Sequence, residues 1–370
     1  MRKRMSNMEL LRDVSMLMIV LLHLMSKTSA VTDLEPDRPI YYVAWILMAV
    51  CGMGTNLFVL ISGYFAKESK FKLEKLLHLY VQVLFYSVTL TVLMKFLHVD
   101  LTSGIIAVVL PITHREYWFA TVYIGLYCLM PYLNIILEHA DKKKLEQLLI
   151  VMGILFSVIP TFLHATGWLG EEGAFSIVWF CFLYLLGAYI RQYGQAVLEK
   201  SNRKKKTGLC FLGSIAIVPL SKFAVVLLGR GLQLPENLVM KASELLYPFN
   251  SLPILCACAL LLLFFSCVEI ENVKLSAVIN LIGGVTFGIY LIHNNRNLSH
   301  YLWEKCRVHY WLAEKENMIV ITGILFGVFA VCGLIEWFRQ QMFKILRIDK
   351  LIDRIAMILQ KGVCRLCKNL

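Results

Sequence analysis

The chain has 370 residues, of which 58% are hydrophobic and only 17% are charged. An ordinary soluble domain is about half apolar and about a quarter charged. The composition therefore excludes a soluble domain and predicts a protein that crosses a membrane repeatedly. The net charge of +12 does not indicate a nucleic-acid partner, because the basic residues are spread over separate loops rather than gathered in one solvated face.

The first apolar stretch begins with charged residues and contains a histidine. Glu9 and Arg12 lie three residues apart, which places them within reach of an ion pair on one face of a helix. Each residue turns a helix by about 100° and rises about 1.5 Å, so His23 shares this face and lies about 16 Å farther along the axis. If hydrocarbon begins near Val14, His23 is expected near the middle of a bilayer core about 30 Å thick.

An ionisable side chain at that depth is a candidate for function, because its burial costs free energy that packing alone does not return. The alternative is a neutral imidazole that is hydrogen-bonded to a neighbouring helix and contributes only to packing. The sequence leaves both interpretations open, and the functional one is our working hypothesis.

Ten apolar stretches of about 20 residues are long enough to cross a membrane as helices. They lie at 13–31, 41–65, 76–97, 117–137, 146–164, 175–191, 208–228, 244–268, 276–294 and 317–338. The stretch 101–112 is too short to cross, so we expect it to lie at the membrane surface or to re-enter. The predicted fold is an all-α polytopic membrane protein with about ten transmembrane helices.

The distribution of basic residues orients these spans. Of the 37 Lys and Arg residues, 26 fall in the two terminal segments and the even-numbered connections. Because cytoplasmic loops carry the excess of Lys and Arg, both termini are predicted to be cytoplasmic. We expect a multi-pass protein of the plasma (inner) membrane, with the lipid bilayer as its surroundings.

No internal repeat and no flexible linker divides the chain. Residues 1–338 are therefore predicted to form one membrane domain. The segment 339–370 mixes apolar residues with Lys and Arg at helical spacing, which predicts a basic amphipathic helix on the inner leaflet or a solvated helical tail.

Motifs of soluble enzymes and metal centres are not found in the sequence. There is no P-loop, HExxH, GxSxG or GxGxxG in a strand–helix context. The eleven cysteines are scattered, and Cys364 and Cys367 have no second Cys or His pair nearby, so no metal site is predicted.

The connection after the second span is rich in lysine. Lys67, Lys70, Lys72 and Lys75 follow the end of that span closely. Four ammonium groups around one short turn can hold phosphates by charge, although positive residues at a cytoplasmic membrane edge need no ligand. The preceding Ser62-Gly63 permits close backbone approach or a hydrogen bond between helices.

Two later spans carry aromatic residues and a second histidine. Trp118 opens the fourth span at the interface, where aromatic belts are common, and Tyr127 lies deeper. Tyr290 and His293 occur in the ninth span. His293 reaches the outer boundary, where it serves a site or simply contacts headgroups.

In their order along the chain, these motifs resemble the acyltransferase-3 family of integral membrane acyltransferases. The resemblance extends from Asn7 to the tenth span. It rests on Asn7-x-Glu9-Leu10-Leu11-Arg12 followed after ten residues by His23, on the helix end 58–65, on Trp118-Phe119 through Tyr127 to Pro131, and on the stretch 288–293.

The resemblance implies transfer of an acyl group, usually acetyl, from a cytoplasmic acyl-CoA to a hydroxyl of an envelope glycan or lipid-linked saccharide. His23 then matches the family's catalytic histidine and Arg12 its partner, with Glu9 orienting the guanidinium. Acetyl-CoA is a co-substrate here and not a permanently bound cofactor.

The remaining candidate residues are divided between donor and acceptor. Acyl-CoA is assigned to residues in and just before the lysine-rich turn: Ser62, Lys70, Lys72 and Lys75. The family often has arginine in this turn, and lysine cannot clamp a phosphate bidentately. The acceptor is assigned to residues of the fourth and ninth spans: Trp118, Tyr127, Tyr290 and His293.

His23 is predicted to act as a general base, since histidine titrates near neutral pH. Arg12 would position CoA or complement developing negative charge. An acyl-His23 intermediate is a second mechanism. A transporter or flippase of a lipid-linked saccharide, with Arg12 and His23 in its path, is an alternative function, and a non-catalytic scaffold is a third. The acceptor sugar and the oligomeric state are not predicted.

Overall fold

A computed structural model of the chain describes residues 5–68, 70–163, 169, 172–194 and 203–368. Every element in these residues is helical, with no strand among them. The first nine helices are α1 (Ser6–Ser26), α2 (Pro39–Cys51), α3 (Gly54–Tyr64), α4 (Leu73–Phe96), α5 (Ile105–Val109), α6 (Trp118–His139), α7 (Lys142–Gly153), α8 (Ile159–Leu163) and α9 (Ile177–Tyr189). The others are α10 (Arg203–Gly231), α11 (Glu236–Ser243), α12 (Leu252–Ser266), α13 (Val273–Gly283), α14 (Thr286–His293), α15 (Arg296–Lys305), α16 (Met318–Ile345) and α17 (Ile348–Lys368).

Seven helices in the described residues are long and apolar enough to cross a membrane. Three of them combine consecutive elements: α2 with α3, α7 with α8 through a π turn, and α13 with α14. Three further predicted spans fall on α1, which carries several charges, and on α9 and α12, which have 13 and 15 residues. The all-helical fold is confirmed. The count of about ten spans and the side on which the termini lie stay predictions.

Helix α1 occupies the centre of the bundle and packs against α2, α3, α12, α13, α14 and α16. Met8, Leu11, Val20 and Leu24 are fully buried. Helix α1 begins at Ser6, before the predicted start of the span, and Glu9 in its first half is buried. We call the side of the bundle where α1 begins the N-terminal face, and the side where it ends the far face.

Helices α13 and α14 run parallel to α1 and beside it. Ser6 Oγ lies 2.5 Å from Ser276 Oγ, and a second contact with the same separation of 270 residues joins the other ends of the helices. Gly283 ends α13 between these contacts. A Cβ there would overlap the Glu9 carboxylate, so the absence of a side chain allows α1 to approach.

A second close approach joins α3 and α9. A Cβ at Gly63 would overlap the backbone carbonyl of Tyr184, and one at Gly187 would overlap that of Leu60. The two glycines therefore let the backbones of the two helices touch, as small residues do between membrane helices. The close approach predicted for Ser62-Gly63 is confirmed.

A buried carboxylate fixes α14 against α4 and α16. Glu336 is 1% exposed and accepts hydrogen bonds from Tyr86 at 2.8 Å, from Arg339 at 2.7 and 2.8 Å, and from Gln340 at 2.8 Å. Its side chain lies against Gly288 of α14, where a Cβ would meet it. A buried charge with this many donors is compensated, and it holds the element that leads to His293.

The amphipathic helix predicted for 339–370 begins later in the structure, because α16 continues to Ile345 and α17 starts at Ile348. Helix α17 packs against α4, where Asp353 Oδ1 lies 3.0 Å from His78 Nε2. Leu351 and Ile358 are exposed. An uncovered apolar face of this kind is typical of a helix at a membrane surface; the division into domains 1–338 and 339–370 stays a prediction.

Candidate active site

The two histidines of the sequence prediction meet inside the bundle. His23 Nδ1 lies 2.9 Å from His293 Nε2, and His293 Nδ1 lies 2.5 Å from the carbonyl oxygen of Ile289. A carbonyl oxygen only accepts, so in a pair of neutral rings His293 Nδ1 carries its hydrogen and His293 Nε2 accepts from His23 Nδ1. This assignment from the hydrogen-bond network leaves the lone pair of His23 Nε2 free.

His23 lies in the last turn of α1, nearer the far face than the mid-membrane position expected from the sequence. The reason is that α1 ends at Ser26 rather than at the predicted residue 31, so only three residues of the helix follow His23. The histidine contacts space on two sides, one enclosed by apolar side chains and one lined by polar residues.

The enclosed space is a cavity of about 20 Å³, comparable to the space that one water molecule occupies. Besides His23, its wall is almost entirely apolar or aromatic and comes from α1, α3, α6 and α14: Met16, Ile19, Thr55, Phe58, Trp118, Phe119, Phe287 and Tyr290. Two predicted acceptor residues, Trp118 and Tyr290, therefore do lie beside His23.

The polar space, which we call the far pocket, measures about 350 Å³ at the far face. His23 and Trp118 line both this pocket and the small cavity. The remaining lining residues are charged or polar: Lys27, Thr102, Arg115, Glu116, Asn294, Arg296, Ser299 and His300. A polar substrate can therefore contact the imidazole from this side.

The wall of the far pocket is fixed by side-chain amides that follow His293. Asn297 Oδ1 accepts from the backbone N–H of Thr102 at 2.9 Å and of Ser103 at 3.0 Å. Asn295 donates to the Tyr117 hydroxyl at 2.7 Å and caps the start of α15. These bonds tie the loop after α4 to the segment after α14, so the pocket is built by tertiary contacts.

Toward the N-terminal face, facing side chains of α3 and α6 form what we call the α3–α6 seam. It consists of Phe58, Ser62, Phe119, Tyr123 and Tyr127. The rings of Phe58 and Phe119 lie 6.1 Å apart, and Ser62 Oγ lies 3.1 Å from the Tyr123 hydroxyl. The seam begins at the small cavity beside His23.

The seam ends at the lysine-rich turn. The Tyr127 hydroxyl accepts from the backbone N–H of Lys72 at 3.0 Å and donates to its carbonyl oxygen at 3.2 Å. All four lysines of the turn are exposed, and two of them, Lys67 and Lys70, line a pocket of about 240 Å³. Tyr127 and Ser62 therefore lie along the seam and not beside His23.

The predicted contact between Glu9 and Arg12 is present. Arg12 Nη1 donates to Glu9 Oε2 at 2.6 Å, with Glu9 buried and Arg12 half-buried. This ion pair lies near the N-terminal face, about 16 Å along α1 from His23. It belongs to the end of the site where the lysine-rich turn lies.

The cationic lining of the far pocket was missed in the sequence. Lys27 follows His23 by one helical turn, and Arg296 follows His293 by three residues. The short separation of each basic residue from a histidine is visible in the sequence. The sequence does not show, however, that the two loops lie next to each other in the fold.

Comparisons with known proteins agree with the motifs. No curated protein and no solved structure matches the chain. The model of the acyltransferase-3 family, described as an acyltransferase domain, matches residues 5–337, which include the histidine pair, the seam and the far pocket. The family expected from the motifs is confirmed: the chain belongs to the acyltransferase-3 family.

Proposed function

We propose that the protein transfers an acetyl or other acyl group from acyl-CoA to a hydroxyl of an envelope glycan or lipid-linked saccharide, with His23 as general base. Membership of an acyltransferase family supports the reaction type. The observation that carries the assignment of sides is that one imidazole lines both the cavity at the end of the seam and the polar far pocket.

The chemistry requires one proton to be moved twice. His23 Nε2 takes the proton of the acceptor hydroxyl while the hydroxyl oxygen attacks the thioester carbonyl. The carbon–sulfur bond then breaks, and the departing sulfur of CoA takes the proton from His23. During the step His23 is an imidazolium, and the hydrogen bond from its Nδ1 to His293 Nε2, at 2.9 Å, becomes charge-assisted and therefore stronger.

The donor reaches His23 from the N-terminal face, which is the cytoplasmic side in this proposal. Lys70 and Lys67 at their pocket attract the phosphates of CoA, and the acyl-bearing arm lies along the α3–α6 seam. From Phe119 to Tyr127 the seam is about 12 Å long. Arg12 lies too far from His23 to contact the reacting carbonyl, so of its two predicted roles we retain the positioning of CoA.

A transfer assay with a matched histidine control tests the proposal. Purified protein in lipid nanodiscs is incubated with radiolabelled acetyl-CoA and with envelope glycans from a strain that lacks this protein. We expect His23→Gln to lower transfer at least about 100-fold, the usual scale for loss of a general base. His139→Gln, which changes an exposed histidine at the end of α6, should have no effect.

Full transfer by His23→Gln at normal protein levels contradicts the role of His23. Movement of lipid-linked saccharide across the bilayer without loss of thioester contradicts the enzyme proposal and supports transport. Labelled protein isolated without acceptor would instead identify an acyl-His23 intermediate.

A further inference from the structure

The far pocket contains a lysine at a fixed distance from His23. Lys27 caps the end of α1, directly after Ser26, and its backbone N–H donates to the carbonyl oxygen of His23 at 3.0 Å. It lies about 6 Å along the helix axis from His23 and about 40° from it around the axis. The Lys27 side chain therefore starts on the same face of α1 as His23, and it lines the far pocket.

The charges of the far pocket do not balance. Arg115 donates to Glu172 at 2.6 Å, and Arg296 lies 3.5 Å from Glu116. Among the described residues, no carboxylate pairs with Lys27. Three cations and one carboxylate line the pocket. Arg115 is neutralised by Glu172, which lies outside the lining, and Arg296 by Glu116, so the charge of Lys27 remains unbalanced.

The excess charge lies between Lys27 and Arg296. Both side chains line the far pocket, and their like charges repel each other there. Two cations that repel each other in a shared pocket gain energy when an anion binds between them. Glu116 does not fill this role, because it is buried and its second oxygen accepts from Ser103 at 2.6 Å.

We propose that the far pocket binds the acceptor through an anionic group, a sugar carboxylate or a sugar phosphate, held by Lys27 and Arg296. The inference rests on the proposed function and adds the chemical class of the acceptor. Neutral donors and acceptors on the same wall, Thr102, Asn294 and Ser299, are suited to sugar hydroxyls. The volume of about 350 Å³ lies within the range of about 300–1,000 Å³ that is common for small-ligand sites.

The position of Lys27 also restricts which hydroxyl reacts. Four residues of helix, about 6 Å, separate Lys27 from His23. The anionic group and the acylated hydroxyl therefore belong to the same sugar or to adjacent sugars. An acceptor whose charge lies several sugars from the reacting hydroxyl does not satisfy both contacts.

Direct binding tests the anion site independently of turnover. Saturation-transfer NMR is performed on the full-length His23→Gln variant in nanodiscs with methyl β-glucuronoside, methyl β-glucoside 6-phosphate and neutral methyl β-glucoside. We expect at least one charged sugar to bind at least tenfold more tightly than the neutral one, and which one it is identifies carboxylate or phosphate. Equal signals from all three sugars overturn the proposal.

Variants then locate the site. Lys27→Gln and Arg296→Gln, each combined with His23→Gln, should lose the preference for the charged sugar. Lys305→Gln in the same background should keep it, because Lys305 is exposed on the same helix as Arg296 but lies outside the pocket lining. Retention of the preference in both pocket variants places the anion elsewhere and overturns the assignment.

The transfer assay separates failure of this inference from failure of the proposed function. With His23 intact, Lys27→Gln should raise the KM for the glycan at least tenfold while leaving the KM for acetyl-CoA unchanged, and label should appear in the anion-exchange-retained glycans. Label in neutral glycans alone overturns the anionic acceptor and leaves the acyltransferase intact. Binding of the charged sugar without any acyl transfer contradicts the acyltransferase proposal and leaves the anion site intact.

Discussion

The imidazole of His23 is oriented through its Nδ1 atom, which lies 2.9 Å from His293 Nε2. His293 is fully buried, and the carbonyl of Ile289 fixes its tautomer in turn. A base that is held in one tautomer spends no time with its proton on the wrong nitrogen. His293 is thus a positioning residue in the proposed mechanism, in place of the acceptor-binding role predicted from its location.

We expect substitutions of His293 to lower kcat according to whether the new side chain can accept a hydrogen bond. His293→Phe keeps a ring but has no acceptor, and a lost hydrogen bond of about 1.5–3 kcal/mol to a charged group corresponds to a decrease in kcat of about 10- to 100-fold. His293→Gln offers a carbonyl oxygen and should retain more activity.

Steady-state acyl transfer measures the effect, and melting temperatures serve as the control for folding. A purely structural role of His293 predicts equal kcat values for the Phe and Gln variants at equal melting temperature, or values that follow stability alone. That result would contradict the positioning role.

For individual residues, the sequence predicted contacts within one helix but not contacts between helices. The ion pair of Glu9 with Arg12 follows from the three-residue separation, since helix geometry fixes it. The contact of His23 with His293 joins residues 270 positions apart. Nothing in either stretch indicates which helices are neighbours.

At the scale of elements, the glycines of α3 and α9 determine how closely these two helices pack. Gly63 and Gly187 each face a backbone carbonyl of the opposite helix, so a methyl group at either position has no space. Since α3 also supplies the wall of the small cavity and one side of the seam, separation of α3 from α9 displaces the donor path.

We expect Gly63→Ala and Gly187→Ala each to destabilise the protein by about 1–3 kcal/mol, the usual cost of overpacking. Gly327→Ala in α16 is the matched control, because nothing lies within 4 Å of a Cβ at that position and alanine has the higher helix propensity. Thermal unfolding in detergent, followed by size-exclusion chromatography, measures the difference. Equal melting temperatures for Gly63→Ala and Gly327→Ala would contradict the close packing.

The apolar runs predicted where helices occur but not where they break. The run predicted as one span at 276–294 contains the end of α13 at Gly283 and the start of α14 at Thr286. Gly283 and Gly284 lie next to each other at this break, and a glycine pair favours a turn over a continuous helix. A search for apolar runs alone does not register a glycine pair, so the break was not predicted.

At the scale of the whole molecule, the basic residues predict which face of the bundle is cytoplasmic. The lysine-rich turn and the N-terminus of α1 lie on the N-terminal face, and the loop that follows α1 lies on the far face. The proposed function requires the former to meet acyl-CoA and the latter to meet an envelope glycan. The orientation of the protein is therefore a direct test of both.

Cysteine labelling should distinguish the two faces. Glu35→Cys and Lys143→Cys place thiols at exposed positions in the loop after α1 and at the start of α7. We expect a membrane-impermeant maleimide to label the former in intact cells and the latter only after permeabilisation. The unsubstituted protein, with its eleven native cysteines, gives the background; the opposite pattern would place the termini outside.

The two spaces on either side of His23 differ greatly in size, about 20 Å³ against about 350 Å³. A cell that stores energy as a proton-motive force cannot tolerate a wet path through its membrane, and an imidazole between two water-filled vestibules would conduct protons. In the proposed mechanism, the small space lined by aromatic side chains separates His23 from the N-terminal face until the donor binds, and it thereby limits proton leakage. An acetyl group is larger than the smaller space, so in the proposed mechanism binding of the donor widens the seam. Donor binding is therefore the step at which protons would be able to cross.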